Sequence, residues 1–359
     1  MRVLVVDDSV VFRSQIKSAL EENSEIVVVA VAANGKIAIE KIEQNVVDVV
    51  ILDLEMPVMD GMQTLEEMRK RNLQQKVIIF AAPTGEGIDL AFRALKAGAS
   101  DFIAKPASTT GSLEEALDGI KKELIPKVLQ FKGKLAGQFN QEKKVLIANN
   151  YELHKPIQKI NLSNLFLKKP KIIGIGSSTG GPNALEIILS PLKGNKLNVP
   201  ILIAQHMPPK FTEALAERIQ FISGHPCFEG KQGEPISSGR IYIAPGDYHM
   251  TVERGTDGNN YIRLDQGPKR NSVRPAVDNL FESLSSNYGN ACSVFVLTGM
   301  GEDGMVGAQA IKSSAGTVII QDQASSTVWG MPGAVYASGN FDMMSSVEEC
   351  GQFLLKMVE

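Results

Sequence analysis

"KIIGIGSSTGGP", residues 171–182, breaks an apolar, β-branched run on a cluster of small residues, as at the end of a parallel strand that turns into a helix. Two devices share that outline. In a phosphate-binding loop, Gly174 and Gly176 make the tight turn and a pyrophosphate sits on the next helix N-terminus. Here the following glycine is Gly180, giving G-x-G-x-x-x-G, and the next strand, "VPILIA", runs into Gln205, His206 and Met207 rather than an acidic ribose anchor. The lysine of a Walker-type loop is missing too, since Pro182 and Asn183 follow the glycines. In a nucleophile turn, "GSSTG" centres G-x-S-x-G on Ser178, small neighbours allow a sharp strand-to-helix turn, and helix amides lie close enough to stabilise an oxyanion. The nucleophile reading is the better supported.

A serine that reacts near neutral pH needs a base, and the base needs an orienting group. The chain has four histidines. His154 lies in a lysine-rich stretch, and His225 precedes a proline in a polar loop. His206 follows an apolar strand, which puts it at the same sheet edge as the serine turn and makes it the expected base; His249, in "APGDYHM", is the runner-up. "SVFVLTGMGEDG" (293–304) is another strand breaking into glycine, and it delivers Asp303 to that edge. Glu302 is a neighbouring alternative with a longer side chain, and Asp278 and Asp322 are further candidates.

Outward from this region the chain alternates strand-like and helix-like runs. From Lys171 on, strands are predicted at "KIIGIG", "VPILIAQ", "RIYIAP", "YIRLD", "SVFVLTG" and "TVIIQD", with helices between them and a hairpin-like insertion near 240–265. Residues 1 to about 120 hold five β/α units, beginning with "RVLVV" and a helix capped by Ser9. Runs this apolar predict parallel sheets covered on both faces, hence two doubly wound α/β domains. Domains are expected at 1–122 and 169–359, joined by a linker over 123–168. The window 121–171 carries twelve lysines against three glutamates and no aspartate, while its apolar Leu124, Val128, Leu129 and Leu135 suggest packing.

With 359 residues, 43% hydrophobic, 21% charged and a net charge of -3, the chain reads as a globular protein whose main partner is not nucleic acid. Cys227, Cys292 and Cys350 are too few and too scattered for a disulfide framework or zinc site. "MRVLVVDDS" does not read as a signal peptide, and no apolar run reaches the ~18 residues of a membrane helix, so a cytoplasmic protein without membrane insertion is expected.

In the first domain Asp7 and Asp8 end the first strand, Asp53 ends the third and Lys105 ends the fifth, so all four converge on one sheet edge. Crowded carboxylates suit a hard cation such as Mg²⁺, and a lysine opposite can hold a phosphoryl group. The acidic pair, "DLEMPVMDG" (53–61), "GASDFIAKP" and five β/α units together resemble a response-regulator receiver domain, which is flavodoxin-like. That resemblance implies that Asp53 accepts a phosphoryl group from a histidine kinase, that Asp7, Asp8 and Asp53 hold Mg²⁺, and that Lys105 contacts the phosphate. Phe102 takes the aromatic switch position. One departure stands out: Ala81 and Ala82 occupy the place where receivers carry a hydroxyl after the fourth strand, with Thr84 displaced by three residues.

In the second domain "GIGSSTGGP", "AQHMPPKFT", "IYIAPGDYHM", "RPAVDNLFES", "LTGMGEDG" and "WGMPGAV" resemble, in order, the Rossmann-like catalytic domain of the chemotaxis protein-glutamate methylesterases. The resemblance implies a nucleophile at Ser178, a base at His206 and an orienting carboxylate at Asp303, with Thr179 helping to position the imidazole and the Met300 amide contributing to the oxyanion hole. It further implies phosphorylation-activated hydrolysis of glutamate γ-methyl esters on chemoreceptor helices, with glutamine deamidation in some relatives, by a monomer that needs no cofactor for the ester step. The family's loop more often has alanine where Ser177 stands, so Ser177 reads as a decoy hydroxyl. A DNA-binding regulator fits poorly, because the output region is large, glycine-rich and not basic, and a dormant adaptor fits poorly with an intact Ser/His/Asp set.

Overall fold

The computed structural model describes residues 1–105, 113–132 and 169–358, in two compact units, Met1–Pro156 and Ile157–Glu359. In the first, β1 (Arg2–Val6), β2 (Val27–Ala32), β3 (Val49–Asp53), β4 (Lys76–Ala81) and β5 (Asp101–Ala104) pair in parallel in the order β2-β1-β3-β4-β5. The helices α1 (Val10–Glu21), α2 (Gly35–Gln44), α3 (Gly61–Lys70) and α4 (Gly85–Lys96) start where the sequence supplies a side chain for the orphan amides of the first turn: Ser9, Asn34, Asp60 and Thr84. Asp60 and Gln63 complete a capping box at α3.

The helix α5 (Leu113–Leu129) runs through the expected domain boundary at residue 122, and it buries Leu124, Val128 and nearby Phe131 completely. Lys127 reaches back from α5 to Asp101 Oδ2 at 2.9 Å and the Phe102 carbonyl at 2.8 Å. The rest of the expected linker, with Leu135 and His154, lies outside the described residues.

The second unit is a seven-stranded parallel sheet ordered β14-β13-β12-β6-β7-β9-β8. Its strands are β6 (Ile172–Ser177), β7 (Ile201–Gln205), β8 (Cys227–Glu229), β9 (Ile241–Ile243), β12 (Cys292–Val296), β13 (Thr317–Gln321) and β14 (Met343–Ser345). Its helices are α6 (Gly181–Leu189), α7 (Phe211–Ser223), α8 (Val277–Tyr288), α9 (Met305–Ser313), α10 (Met331–Ser338) and α11 (Val347–Val358). The expected insertion near 240–265 is corrected in its extent: Ile241–Ile243 belongs to the main sheet beside β7, and the antiparallel ribbon is β10 (His249–Arg254) with β11 (Asn260–Asp265). The ribbon is held because Met250, Val252 and Ile262 join the core cluster that includes Leu280, Phe281 and Leu284 of α8. All three cysteines are free and buried, and burial pushes the Cys227 and Cys350 thiols up to about 12. Among the described residues no helix is long and apolar enough to cross a membrane.

Candidate active site

The order of the seven-stranded sheet reverses between β6 and β12, and open parallel sheets leave a crevice at the carboxyl ends of the strands flanking such a point. The turns after β6, β7 and β12 carry Ser178, His206 and Asp303. Ser178 follows β6 directly, is partly exposed, and donates its amide to the Thr298 carbonyl at 3.0 Å. The loop after β12 passes so close that a Cβ on Gly299 would lie 2.7 Å from Ser178 Cβ, which only glycine avoids. Ser177 is the last residue of β6, fully buried, with its hydroxyl donated to Gln205 Oε1 at 2.6 Å. Of the two serines, Ser178 is the one open to a ligand.

His206 Nε2 lies 2.7 Å from Asp303 Oδ2, and the carboxylate partner assigns the proton to that nitrogen. Asp303 is 1% exposed and accepts four more hydrogen bonds: from the amides of Val277 (2.7 Å), Asp278 (3.0 Å) and Gly304 (3.0 Å), and from Asn271 Nδ2 (3.2 Å). Burial would raise its carboxyl, but the His206 bond and charge and the two helix amides hold it below the usual carboxylate range. Val277 and Asp278 begin α8, whose own N-cap position, Ala276, has no side chain to offer. Asp303 therefore caps α8 from a distant part of the chain.

The service is returned. Asp278 Oδ1 accepts the Gly307 amide at 2.7 Å in the first turn of α9, a helix whose N-cap is Gly304. Asp278, a candidate for the orienting carboxylate on sequence grounds, is thus a helix cap, bridged to Asp303 by the Asn271 carboxamide. Burial pushes its carboxyl up, the Gly307 bond opposes that, and the charge of Asp303 adds to it. Glu302 is exposed, and Asp322 accepts from the amide and hydroxyl of Ser325. His249 is buried, with Nε2 on the Pro268 carbonyl at 3.0 Å and Nδ1 accepting the Ala276 amide, a structural histidine; His225 bonds the Leu192 carbonyl. Thr179 is buried and its carbonyl accepts from Thr298 Oγ1, while Met300 lies half-buried in the loop after β12.

Sequence reasoning missed Gln205, whose signal was a polar residue ending an otherwise apolar buried strand. It also missed Asn271, for which the loop sequence gives no signal.

At the corresponding edge of the five-stranded sheet, where the order reverses between β1 and β3, Asp7, Asp8 and Asp53 bring carboxylate oxygens within 4.8 Å of one another. Asp7 and Asp53 are buried and Asp8 is exposed. Lys105 Nζ stands 2.7 Å from Asp53 Oδ1 and 3.6 Å from Asp7 Oδ2. Burial pushes the Asp7 carboxyl up to about 6, with the Asp53 charge adding to it, and its buried Oδ2 has no hydrogen-bond partner among the described residues. An oxygen donor set with one orphaned buried oxygen fits a divalent cation such as Mg²⁺. Ala81 ends β4 and is buried; Thr84 Oγ1 accepts the Gly87 amide as the cap of α4, so that hydroxyl already has a structural task. Phe102 is buried, with the Lys127 ammonium 5.6 Å from its ring centroid.

Residues 173–354 match the family described as CheB methylesterase, and residues 3–118 match the response regulator receiver domain. A protein-glutamate methylesterase/protein-glutamine glutaminase of Paramagnetospirillum magneticum is 42% identical over 369 residues, covering 99% of this chain and 96% of the relative. A second relative of the same description, from Rhodospirillum rubrum, is 40% identical over 370 residues and covers 99% of this chain and 95% of its own length. The crystal structure of the Thermotoga maritima CheB methylesterase catalytic domain is similar with a TM-score of 0.51 and 39% identity, over 53% of this chain and 99% of that one.

Proposed function

The chain belongs to the CheB methylesterase family, with a receiver domain ahead of the catalytic one, and from that membership we propose that it hydrolyses glutamate γ-methyl esters on chemoreceptors, as a serine esterase activated by phosphorylation of Asp53. The observation that carries the chemistry is the 2.7 Å bond between His206 and a buried, fully bonded Asp303, at the sheet edge where Ser178 is partly exposed. With Nε2 committed to Asp303, Nδ1 is the nitrogen left to take the Ser178 proton. Ser178 Oγ attacks the ester carbonyl, and His206 passes the proton to the departing methanol. Water then attacks the glutamyl-serine ester with His206 again as base, restoring the serine and leaving a glutamate side chain. Asp303 keeps the ring oriented and offsets the charge the imidazole acquires. Thr179 supports the ring and the Met300 amide stabilises the oxyanion. Attack on a glutamine carboxamide follows the same course with ammonia as the leaving group, the second activity in the relatives' names.

In the receiver, Asp53 takes the phosphoryl group from a histidine kinase and Lys105 contacts it. Asp7, Asp8 and Asp53 would hold Mg²⁺, which when bound would offset negative charge on the phosphoryl oxygens.

Methanol release from methyl-labelled receptor membranes, with and without a small-molecule phosphodonor, tests the reading. The wild type releases methanol faster with the donor, Ser178→Ala loses about 10⁶-fold in turnover, and Asp53→Asn no longer responds to the donor. No release from the wild type, or equal release from Ser178→Ala, overturns the esterase; a donor response in Asp53→Asn overturns the gate.

A further inference from the structure

Gln205, the last residue of β7, is 2% exposed and spends its whole carboxamide on the two reactive turns. Its Oε1 accepts from Ser177 Oγ at 2.6 Å, and its Nε2 donates to the Ser178 carbonyl at 3.0 Å and the His206 carbonyl at 3.1 Å. The backbone adds two clamps: His206 N donates to the Ser177 carbonyl at 3.1 Å, and Gly181 N donates to the Ser178 carbonyl at 2.7 Å. Space is cleared for the amide, since a Cβ on Gly181 would lie 1.9 Å from Gln205 Oε1 and 2.9 Å from Ser177 Oγ.

We propose that Ser177 and Gln205 are a pair of positioning residues that hold the Ser178 and His206 turns at a fixed separation. The inference rests on the reading of Ser178 as nucleophile and His206 as base. A carboxamide has an accepting end and a donating end, and only one orientation serves two carbonyls. The two carbonyls, which can only accept, select it, and the Ser177 hydroxyl completes the arrangement by donating to the buried Oε1, which would otherwise be left unpaired. One NH₂ group then ties the backbone of the nucleophile to the backbone of the base. Because the group is buried, a turn cannot drift without leaving a polar atom unpaired, and small displacements of reacting groups are costly in rate. The second serine of the motif is thereby neither nucleophile nor idle.

Steady-state kinetics of the full-length protein with phosphodonor and methylated receptor membranes test the pair. Ser177→Ala lowers kcat about tenfold with KM within about twofold of wild type. Gln205→Glu keeps the shape and the Ser177 bond but turns a carboxylate on two carbonyls, so kcat falls about 100-fold above neutral pH. Its deficit relative to wild type narrows as the pH drops and the carboxyl regains a proton to donate. The Ser177→Ala/Gln205→Ala double variant is no slower than Gln205→Ala alone, as expected of residues that act as a unit. A wild-type kcat and pH profile for Gln205→Glu, or losses that multiply in the double variant, overturn the pair. So does a loss confined to the melting temperature with kcat of the folded protein unchanged. If these variants match wild type while Ser178→Ala is inactive, the pair alone fails; if Ser178→Ala is as active as wild type, the esterase reading falls and the pair with it.

Discussion

Both sheets carry their chemistry at the edge where strand order reverses, yet the aspartates there are treated in opposite ways. Asp7 is buried beside Asp53 with one oxygen lacking a hydrogen bond, and its carboxyl is pushed up to about 6. Asp303 is as deeply buried but accepts from a histidine, an asparagine and three backbone amides, and its carboxyl is held down. Burial alone raises both. What separates them is the supply of donors, which in the catalytic domain comes from two helix N-termini capped by each other's neighbours. The receiver edge is arranged to gain from a cation and a phosphoryl group; the catalytic edge keeps its anion stabilised by the protein alone.

The largest effect that can break this contrast is on turnover. Asp303→Asn leaves the shape but weakens the hold on the imidazole, and on the scale of other triads kcat drops by about 10⁴-fold. A loss below about tenfold in methanol release, well short of that scale, contradicts the role given to Asp303. Next comes the receiver: Asp53→Asn removes whatever activation the phosphodonor confers, expected at about 5–150-fold for a coupling between sites. Ala81→Thr restores a hydroxyl beside the phosphorylation site that Thr84, occupied as a helix cap, does not supply. A rise of a few-fold in donor-stimulated activity is expected, and no change means that switching bypasses this position.

The smallest effects are on stability, and their signs differ between the two edges. With Asp7 at about 6 in the folded chain and near 4 when unfolded, the folded receiver holds the extra proton between these values. Its stability therefore falls as pH rises from about 4 to about 6. In metal-free protein, Asp7→Asn raises the receiver's melting temperature at neutral pH, and the gain fades toward about pH 4. Asp303 lies below its unfolded value, so its stabilisation is complete above about pH 4 and is lost as pH falls through its lower folded value. Asp303→Asn accordingly melts lower than wild type at neutral pH, with the gap closing in acid. Calorimetry of the full chain across pH checks both signs.

The fold was legible because its signals are local. All-apolar strands, Ser9 as a cap and the spacing within α2, α3 and α4 are all contained in short windows. The strands β8 and β14 escaped because three residues are too few to show a period. "RIYIAP" reads locally like the first arm of a hairpin, whereas its pairing with β7 is a long-range fact. For the candidate site, Ser178 and His206 directly follow parallel strands and so need no further information to reach the edge, whereas Asp303 is delivered there by the glycine-rich loop after β12. The polar end of β7 marks Gln205 but not its partners, and the exchange of caps between Asp303 and Asp278 leaves no local mark, because the bonds from Gln205 to the serine turn and those between the caps join residues 25 to 29 positions apart. Asn271, in the loop ahead of α8, has its role only through the fold, which brings both carboxylates within reach of one amide.

The identity of the nucleophile is the point on which the account turns, and covalent trapping reads it directly. The full-length protein is treated with a fluorophosphonate serine probe, and the modified peptide is located by mass spectrometry. The account predicts a single adduct on Ser178, absent in Ser178→Ala and slowed in Asp303→Asn. An adduct on Ser177, or a labelling rate at Ser178 indifferent to loss of the Asp303 charge, contradicts it.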